Sequence, residues 1–358
     1  MLNRYHLKRL LCTAALSMTL SGLAGCGGVD IGFITDMGTV QDGAFNQGSY
    51  EGVERYTQSH DKKCKLYEPE SASTSEYTKK INEAVRDGAD IIICPGELFE
   101  EAIYNAQKKH PRTKFILIDG EPHDPEGRDF ELKDNTMAVQ FSEEQAGFLA
   151  GYSAVRDGNT ELGFVGGASN TPIIKFGYGF VQGADYAAIE TGKQIKIRYC
   201  YANTFIESED VGNMVSAWYK GGTQVIFACG GAMGRSVFAA AEANGGKVIG
   251  VDIDQSAVSE TVITSAKKQL GNAVYEGLND YYNNAFKGGS VYMMDASNNG
   301  IALEMENSRF ENFTQEQYDA IYEQLRSGRI VPYSATDYGN TSDLELVNTE
   351  VFYLELNQ

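Results

Sequence analysis

The chain has 358 residues, which is more than one ordinary hydrophobic core accommodates and suits two domains of about 150 residues each. Its composition is that of a globular protein, with 42% hydrophobic and 22% charged residues. The formal net charge of −19 disfavours nucleic acids and anionic membrane surfaces as partners, because both repel an acidic surface.

The N-terminus has the pattern of a secretory signal. Basic residues within positions 4–9 precede an apolar segment that is too short to be a membrane-spanning helix. The segment ends in Leu-Ala-Gly-Cys at 23–26, which resembles the lipobox of bacterial lipoproteins. We therefore predict a signal peptide over residues 1–25 and lipid attachment at Cys26. This lipid would anchor the protein to the extracytoplasmic face of the cell membrane.

Eight apolar segments, four in each half of the chain, alternate with helical patterns. Each is rich in Ile, Val and Phe and bounded by Gly, Pro or Asp, which is typical of strands buried on both faces of a sheet. The predicted strands are 29–36, 64–71, 89–96 and 114–120 in the first half, and 161–167, 195–202, 223–231 and 247–254 in the second. This alternation predicts an α/β fold with two parallel sheets covered by helices.

The two halves match in register, which predicts two similar flavodoxin-like lobes. Asp119 follows the fourth predicted strand of the first half, and Asp252 lies at the same place in the second. In a flavodoxin-like strand order the second and third strands of a lobe are not adjacent. The cysteines that remain after the predicted signal and lipidation site are therefore expected to be buried free thiols. They are Cys64, Cys94, Cys200 and Cys229.

The chain continues beyond the second set of strands. We predict a first lobe over 26–140, a second lobe over 141–265, and a tail over 266–358 that packs back across both lobes. Two lobes joined by several crossing segments form a hinge, and a hinge implies a cleft between them.

The candidate binding residues follow the predicted strands, because ligands of open parallel sheets bind beyond the carboxyl ends of the strands. They include Asp36, Asp42, Asp119, Gly230, Gly231 and Asp252. The loop after the first strand has no phosphate-binding glycine motif, and its carboxylates would repel a phosphate. We therefore expect an uncharged or cationic ligand. Helix capping by Asp42 and turn formation by Asp119 and Asp252 are alternative interpretations.

Phe45 lies in the first turn of the helix that follows this loop. Its spacing with residues 49 and 53 allows it to pack in the core. Its position at the ligand edge of the sheet instead favours stacking on a flat ring. The neighbouring Asn46 offers both a hydrogen-bond donor and an acceptor.

Catalysis and metal binding find no support in the sequence. The histidines accompany no nucleophile motif, and neither an HExxH nor a Walker pattern is present. The cysteines lack the spacing of a metal or redox site. We expect a binding protein without enzymatic activity, cofactor or metal.

The segment TDMGTVQDGAFNQGSYEG at 35–52 resembles the opening motif of the basic membrane protein family. These bacterial lipoproteins are substrate-binding components of ABC importers and include purine nucleoside receptors. The resemblance continues through ILIDG (116–120), FSEEQAGFLAGYSA (141–154), KFGYGFVQGA (175–184), VIFACGG (225–231), VIGVDIDQ (248–255) and TSAKK (264–268). It implies a two-lobed periplasmic-binding-protein type I fold. It also implies a monomer that closes on a nucleoside and delivers it to an ABC permease.

The resemblance also implies roles for individual residues. Phe45 matches the aromatic residue that stacks on the purine in the nucleoside receptors, and Asn46 matches the asparagine beside it. Asp119 would read the base, and Asp252 would bind the ribose hydroxyls. The remaining matches are Gly230, Gly231 and Lys268, expected near the sugar, and the aromatic Phe176.

Two residues of the opening motif differ from the family pattern. Gln41 replaces the first aspartate of the usual pair, and Ala44 replaces a serine. The loss of a charge and a hydroxyl beside the stacking residue is expected to affect which ring system the site binds. Besides a nucleoside receptor, the alternatives are a receptor for a sugar or another heterocycle, a ligand-sensing regulatory lipoprotein, and a nucleoside hydrolase.

Overall fold

The structure is a computed structural model that describes residues 28–334 and 341–356. The predicted signal peptide and the predicted lipidation site at Cys26 lie outside the described residues. Within the described residues the chain forms two lobes, each built on one sheet.

The first lobe is built on a six-stranded sheet in which every pair of strands is parallel. Its elements are β1 (Ile31–Ile34), α1 (Phe45–Ser59), β2 (Cys64–Tyr67), α2 (Thr74–Asp87), β3 (Ile91–Pro95), α3 (Glu100–Lys109), β4 (Lys114–Ile118) and β5 (Thr136–Phe141). Strands β1 and β3 are buried at every position, because helices cover both faces of the sheet.

The second lobe is built on a seven-stranded sheet. Its first elements are α4 (Glu143–Arg156), β6 (Glu161–Gly166), α5 (Thr171–Thr191), β7 (Ile195–Tyr201), α6 (Glu209–Lys220), β8 (Val225–Cys229), α7 (Gly234–Asn244), β9 (Lys247–Asp252) and β10 (Val262–Lys268). The chain then continues through α8 (Leu270–Tyr282), β11 (Ser290–Met294), β12 (Ile301–Leu303), α9 (Gln315–Arg326) and β13 (Thr349–Leu354).

The strand pairing confirms the predicted α/β class with parallel sheets, except that the edge strand β12 runs antiparallel to β10 in the second sheet. The first sheet has the order β11-β5-β4-β3-β1-β2, and the second has the order β12-β10-β9-β8-β6-β7-β13. Each of the eight predicted strands coincides with an observed one. Strand β1 separates β2 from β3, and β6 separates β7 from β8. Accordingly, the four described cysteines are free thiols.

The segments beyond β10 extend both sheets. Strand β11 pairs with β5 in the first sheet, whereas β12 and β13 form the two edges of the second. Strand β13, which the sequence pattern does not predict, is held by its parallel pairing with β7. Between residues 28 and 334 the chain passes between the sheets three times, after β5, after β10 and after β11. Both predicted lobe boundaries, at 140 and 265, fall inside strands.

Helices α4 and α5 pack backbone against backbone beside the crossing segments. Gly147 of α4 faces the carbonyl oxygen of Phe176, and Gly179 of α5 faces the carbonyl oxygen of Glu144. A Cβ atom at either glycine would overlap the opposite carbonyl group, so only glycine permits this approach. The contact brings the N-terminal turns of the two helices together at the boundary between the lobes.

None of the helices in the described part of the chain combines the length and the apolar character that a bilayer span requires.

Candidate ligand-binding cleft

A cavity of about 160 Å³ lies between the lobes, at the carboxyl ends of the strands. Its volume is several times the ~30 Å³ that one water molecule occupies in the liquid, so it has room for a small organic molecule. Nine of the ten predicted binding residues line it, namely Asp36, Asp42, Phe45, Asn46, Asp119, Phe176, Gly231, Asp252 and Lys268.

Gly230 is the predicted binding residue that does not line this cavity. Any Cβ atom at position 230 would lie 2.7 Å from the Cα atom of Gly167 and 2.6 Å from a side-chain carbon of Met233. The glycine therefore serves the close approach of two loops at the end of the second sheet. The cavity wall itself begins one residue later, at Gly231.

The loop between β1 and α1 is held by a network of carboxylates around Asn46. The Asn46 side-chain amide donates to Asp36 Oδ1 at 2.7 Å and to Asp42 Oδ2 at 3.0 Å. Asp42 also accepts from the backbone N–H groups of Asn46 and Gln47, as a helix cap does. The predicted capping role of Asp42 is thus present. Both donors of the Asn46 amide are used within the loop, so this side chain shapes the cavity wall.

Burial affects the charge of this wall. It raises the pKa of Asp36, while the hydrogen bonds from Gly38 and Asn46 oppose this effect, and the nearby Asp42 charge reinforces it. Gly38 is needed at the centre of the loop, because its Cβ position would lie 2.7 Å from the Asn46 amide nitrogen. The Asp36 and Asp42 carboxylates are consequently held close together on either side of the Asn46 amide.

Lys268 forms the centre of a buried charge cluster at the end of β10. Its Nζ atom donates to Asp119 Oδ2 and to Glu143 Oε1 at 3.2 Å, and it lies 4.0 Å from Asp252 Oδ1. The four side chains are at most 10% exposed. One ammonium group thus ties residues of both lobes together across the cavity.

The pKa values of the cluster reflect burial opposed by charge. Burial raises the pKa of Asp119 to about 7 and that of Asp252 to about 6, although Lys268 acts in the opposite direction on both. Burial also disfavours the charged form of Lys268, but the surrounding carboxylates outweigh it and raise the pKa of this ammonium. The carboxylates thus favour the charged form of Lys268.

Asp119 and Asp252 share an unusual backbone conformation. Their φ angles are 58° and 68°, in the left-handed region that residues other than glycine seldom adopt. Such strain is typical of functional positions. Asp119 Oδ1 is buried and has no hydrogen-bond partner. An unpaired buried acceptor is costly, so this atom is suited to receive a hydrogen bond from a ligand.

Two of the aromatic rings that line the cavity, one from each lobe, lie close to Lys268. The Lys268 Nζ atom lies 4.8 Å from the centre of the Phe45 ring and 5.8 Å from that of Phe176. Phe45 is only half-buried, whereas Phe176 is held edge-on against Phe227 at a centroid distance of 5.8 Å. Both rings also contact the hydrophobic core. Phe45 therefore packs against the core and lines the cavity at the same time.

Direct contacts between the lobes close the cavity. The Gln255 side chain donates to the backbone carbonyl of Gly43 at 2.8 Å, and Arg235 donates to that of Gln41 at 3.3 Å. Gln41 is exposed and Ala44 is buried, and neither is among the residues that line the cavity. The two departures from the family motif therefore lie behind the cavity wall.

Several residues at the site were not predicted. Glu143 begins α4, and the sequence places it only within a segment that matches the family. The signal that could have identified it is a pair of acidic residues before an apolar helix. The apolar rim, which is exposed and lines the cavity, belongs to loops without any such signal. It consists of Met37 and Leu98 of the first lobe and Phe205 and Ile206 of the second.

Comparison with known proteins identifies similar sequences among substrate-binding proteins of ABC transporters. The family model Bmp, described as ABC transporter substrate-binding protein PnrA-like, matches residues 30–334. The chain is 27% identical over 339 residues to the ABC transporter nucleoside-binding protein BmpA of Lactococcus lactis subsp. cremoris, covering 85% of this chain and 93% of that protein. It is 30% identical to Basic membrane protein B of Borreliella burgdorferi, covering 77% and 80% of the two chains.

A solved structure shares the fold. The ABC transporter system solute-binding protein from Aeropyrum pernix K1 superposes with a TM-score of 0.75 at 20% identity, covering 88% of this chain and 95% of that one. The predicted periplasmic-binding-protein type I fold is thereby confirmed.

Proposed function

This chain belongs to the Bmp family of PnrA-like ABC transporter substrate-binding proteins, and we propose that it captures a purine nucleoside between its lobes and delivers it to an ABC importer. The observation that carries the proposal is the pair Asp119 and Asp252. Both aspartates hold a strained backbone conformation, and both line one cavity together with the aromatic rings of Phe45 and Phe176.

The aromatic residues support a flat ligand. Stacking of a base on an aromatic side chain is worth about 1–3 kcal/mol and tolerates any base. The base would lie against Phe45, with Phe176 on the other lobe. Asp119 Oδ1, which is buried without a hydrogen-bond partner, would then accept a hydrogen bond from an N–H group at the edge of the base.

The charge cluster supports a ribose. The Asp252 carboxylate accepts hydrogen bonds from hydroxyl groups, and such charge-assisted bonds are about twice as strong as neutral ones. The Lys268 ammonium lies 4.0 Å from Asp252 Oδ1 and attracts this carboxylate. The two groups together suit the vicinal hydroxyls of a sugar.

The same cluster disfavours a nucleotide. Asp36, Asp42, Asp119 and Asp252 line the cavity, and Lys268, already bound to carboxylates, is the single lysine or arginine among the described lining residues. A phosphate would meet net repulsion at short range. An uncharged nucleoside satisfies the acceptors without this cost.

The location of the protein is part of the proposal. Lipid attachment at Cys26 would anchor the chain at the extracytoplasmic face of the membrane, next to the permease. The lipobox-like segment at 23–26 supports this assignment. Metabolic labelling with a fatty acid, compared between the native chain and Cys26→Ala, tests it.

The ligand is tested by calorimetry on the chain without residues 1–26. Inosine, guanosine and adenosine are titrated into the native protein, into Asp252→Ala and into the control Asp254→Ala. Asp254 lies two residues further along and does not line the cavity. We expect Asp252→Ala to lose about 1–3 kcal/mol of binding free energy, which is about 5- to 150-fold in Kd. Unchanged affinity would refute the ribose assignment.

Two further outcomes would redirect the assignment. Competition by free ribose at concentrations similar to those of the nucleoside would indicate a sugar receptor. Release of free base from inosine during incubation would indicate a hydrolase.

A further inference from the structure

A second cavity, of about 340 Å³, adjoins the nucleoside cleft. The two cavities share Glu97, Asp119 and Pro172 as lining residues. The remaining wall comes from the loop after β4, the end of β5, and the first turns of α3, α4 and α5. The two cavities therefore share part of one wall, which includes Asp119.

The wall of the second cavity is strongly acidic. Its carboxylates are Glu97, Glu100, Asp119, Glu121 and Glu143. Its two basic side chains are already engaged. Lys175 Nζ donates to Glu143 Oε2 at 2.7 Å, and His123 Nε2 lies 3.0 Å from Glu100 Oε2. Among the described residues of this wall, no cation is left to balance Glu97 and Glu121.

Burial makes this excess of negative charge significant. It raises the pKa of Glu97 and of Glu100, and neighbouring carboxylates act in the same direction. A positive group brought into the cavity would stabilise the ionised form of each. Electrostatic attraction is stronger here than at an open surface, because the cavity is partly withdrawn from water.

An unpaired acceptor lies at the junction of the two cavities. The side chain of Asp119 is 4% exposed, its Oδ2 atom is bonded to Lys268, and its Oδ1 atom has no partner. Apolar surface is also present, because Phe130 and Phe141 line the same cavity. The wall thus combines acceptors with contacts for a short alkyl chain.

We propose that this second cavity is a subsite for an alkylammonium group carried on the exocyclic nitrogen of the purine bound in the cleft. The proposal rests on the proposed function, since the base must lie with that edge at Asp119. An N–H group of the base would bond to Asp119 Oδ1. The short chain would pass Phe141, and the ammonium would lie among Glu97, Glu100 and Glu121.

Calorimetry with three ligands tests the subsite: adenosine, N6-(2-aminoethyl)adenosine and N6-propyladenosine. The last two have side chains of equal length and differ in charge. We expect the aminoethyl compound to bind about fivefold to tenfold more tightly than the propyl compound at low ionic strength. The advantage should shrink as salt screens the charges. If guanosine binds and adenosine does not, the corresponding N2-substituted guanosines replace these probes.

Variants of residues that line only the second cavity locate the effect. Glu121→Gln combined with Glu100→Gln should remove most of the preference for the charged side chain while leaving the affinity for adenosine unchanged. Glu126→Gln is the matched control, because Glu126 lies in the same loop but is exposed outside the cavity. Its preference should equal that of the native protein.

The outcomes separate the subsite from the proposed function. Failure of every unsubstituted nucleoside to bind overturns the proposed function itself. Binding of adenosine with equal or weaker affinity for the aminoethyl compound than for the propyl compound overturns the subsite alone. Loss of binding by both substituted compounds would show that the cavities do not communicate, and it also overturns the subsite.

Discussion

Replacement of Lys268 by methionine tests the buried charge cluster most directly. The change removes the ammonium and keeps a side chain of similar length, so that the effect is mainly electrostatic. Asp119 and Asp252 would then lose their counter-charge, and Glu143 would keep only its ion pair with Lys175. We expect a large loss of stability for this reason.

The magnitude follows from the contact distances. With an effective dielectric constant of about 20, Coulomb's law gives about 5 kcal/mol for the Glu143 contact at 3.2 Å and about 4 kcal/mol for the Asp252 contact at 4.0 Å. Desolvation of the ammonium offsets part of this sum. Removal of one partner from a buried ion pair typically costs 3–5 kcal/mol, and we expect a loss of about this size.

Urea unfolding provides the assay. Trp218, the only tryptophan of the chain, is buried in α6 of the same lobe and reports on this unfolding by its fluorescence. The loss should be greater at pH 8 than at pH 5, because protonation of the carboxylates relieves their repulsion. Lys196→Met is the control, since Lys196 makes an exposed ion pair with Glu161 and should cost less than about 1 kcal/mol.

A double variant decides whether the effect arises from charge. Adding Asp119→Asn to Lys268→Met should recover part of the lost stability, since one of the unbalanced carboxylates is removed. Equal losses for Lys268→Met and the Lys196→Met control would refute the reasoning. So would a double variant whose losses simply add.

Three further predictions concern the site. Phe45→Ala should weaken nucleoside binding by about 1–3 kcal/mol in calorimetry through loss of stacking, and an unchanged Kd would exclude contact with the base. Because burial raises the pKa of Asp119 to about 7 and that of Asp252 to about 6 from 3.8, the folded protein binds protons more tightly than the unfolded chain in this range. The free energy of unfolding, measured with urea, should therefore fall as the pH rises from about 4 to about 7 and then level off. Replacing both aspartates by asparagine should flatten this pH profile. A free energy of unfolding that rises with pH over this range in the native protein would contradict the assignment. Gln41→Asp, which restores the family residue, should change the Kd for nucleosides less than about twofold, because residue 41 is exposed and does not line the cavity. A switch of the preferred base would show that the loop acts at a distance.

The sequence predicted the positions of the strands and the residues at their carboxyl ends. Parallel strands bring these ends to one edge of each sheet, so Asp119 and Asp252 could be assigned to one cleft without knowledge of any distance. The hydrogen bonds of Asn46 with Asp36 and Asp42 could also have been predicted from the sequence, because the three residues lie within eleven consecutive positions. The free cysteines followed from the expected strand order.

Other features depended on contacts between distant segments. Glu143 and Lys175 lie in separate helices, and they meet because glycines allow α4 and α5 to approach backbone to backbone. Gly230 does not line the cavity, because its place is set by the close approach of the loop at Gly167, a contact between segments far apart in the chain.

The sequence by itself determined the fold class and the candidate residues, because apolar periodicity and strand-end position are local properties of the chain. Only the tertiary structure decided how the charges are paired. Lys268 comes from β10, whereas its partners come from β4, α4 and β9. Burial and Coulomb interactions depend on distances between such segments, and these distances are set by the packing of the two lobes.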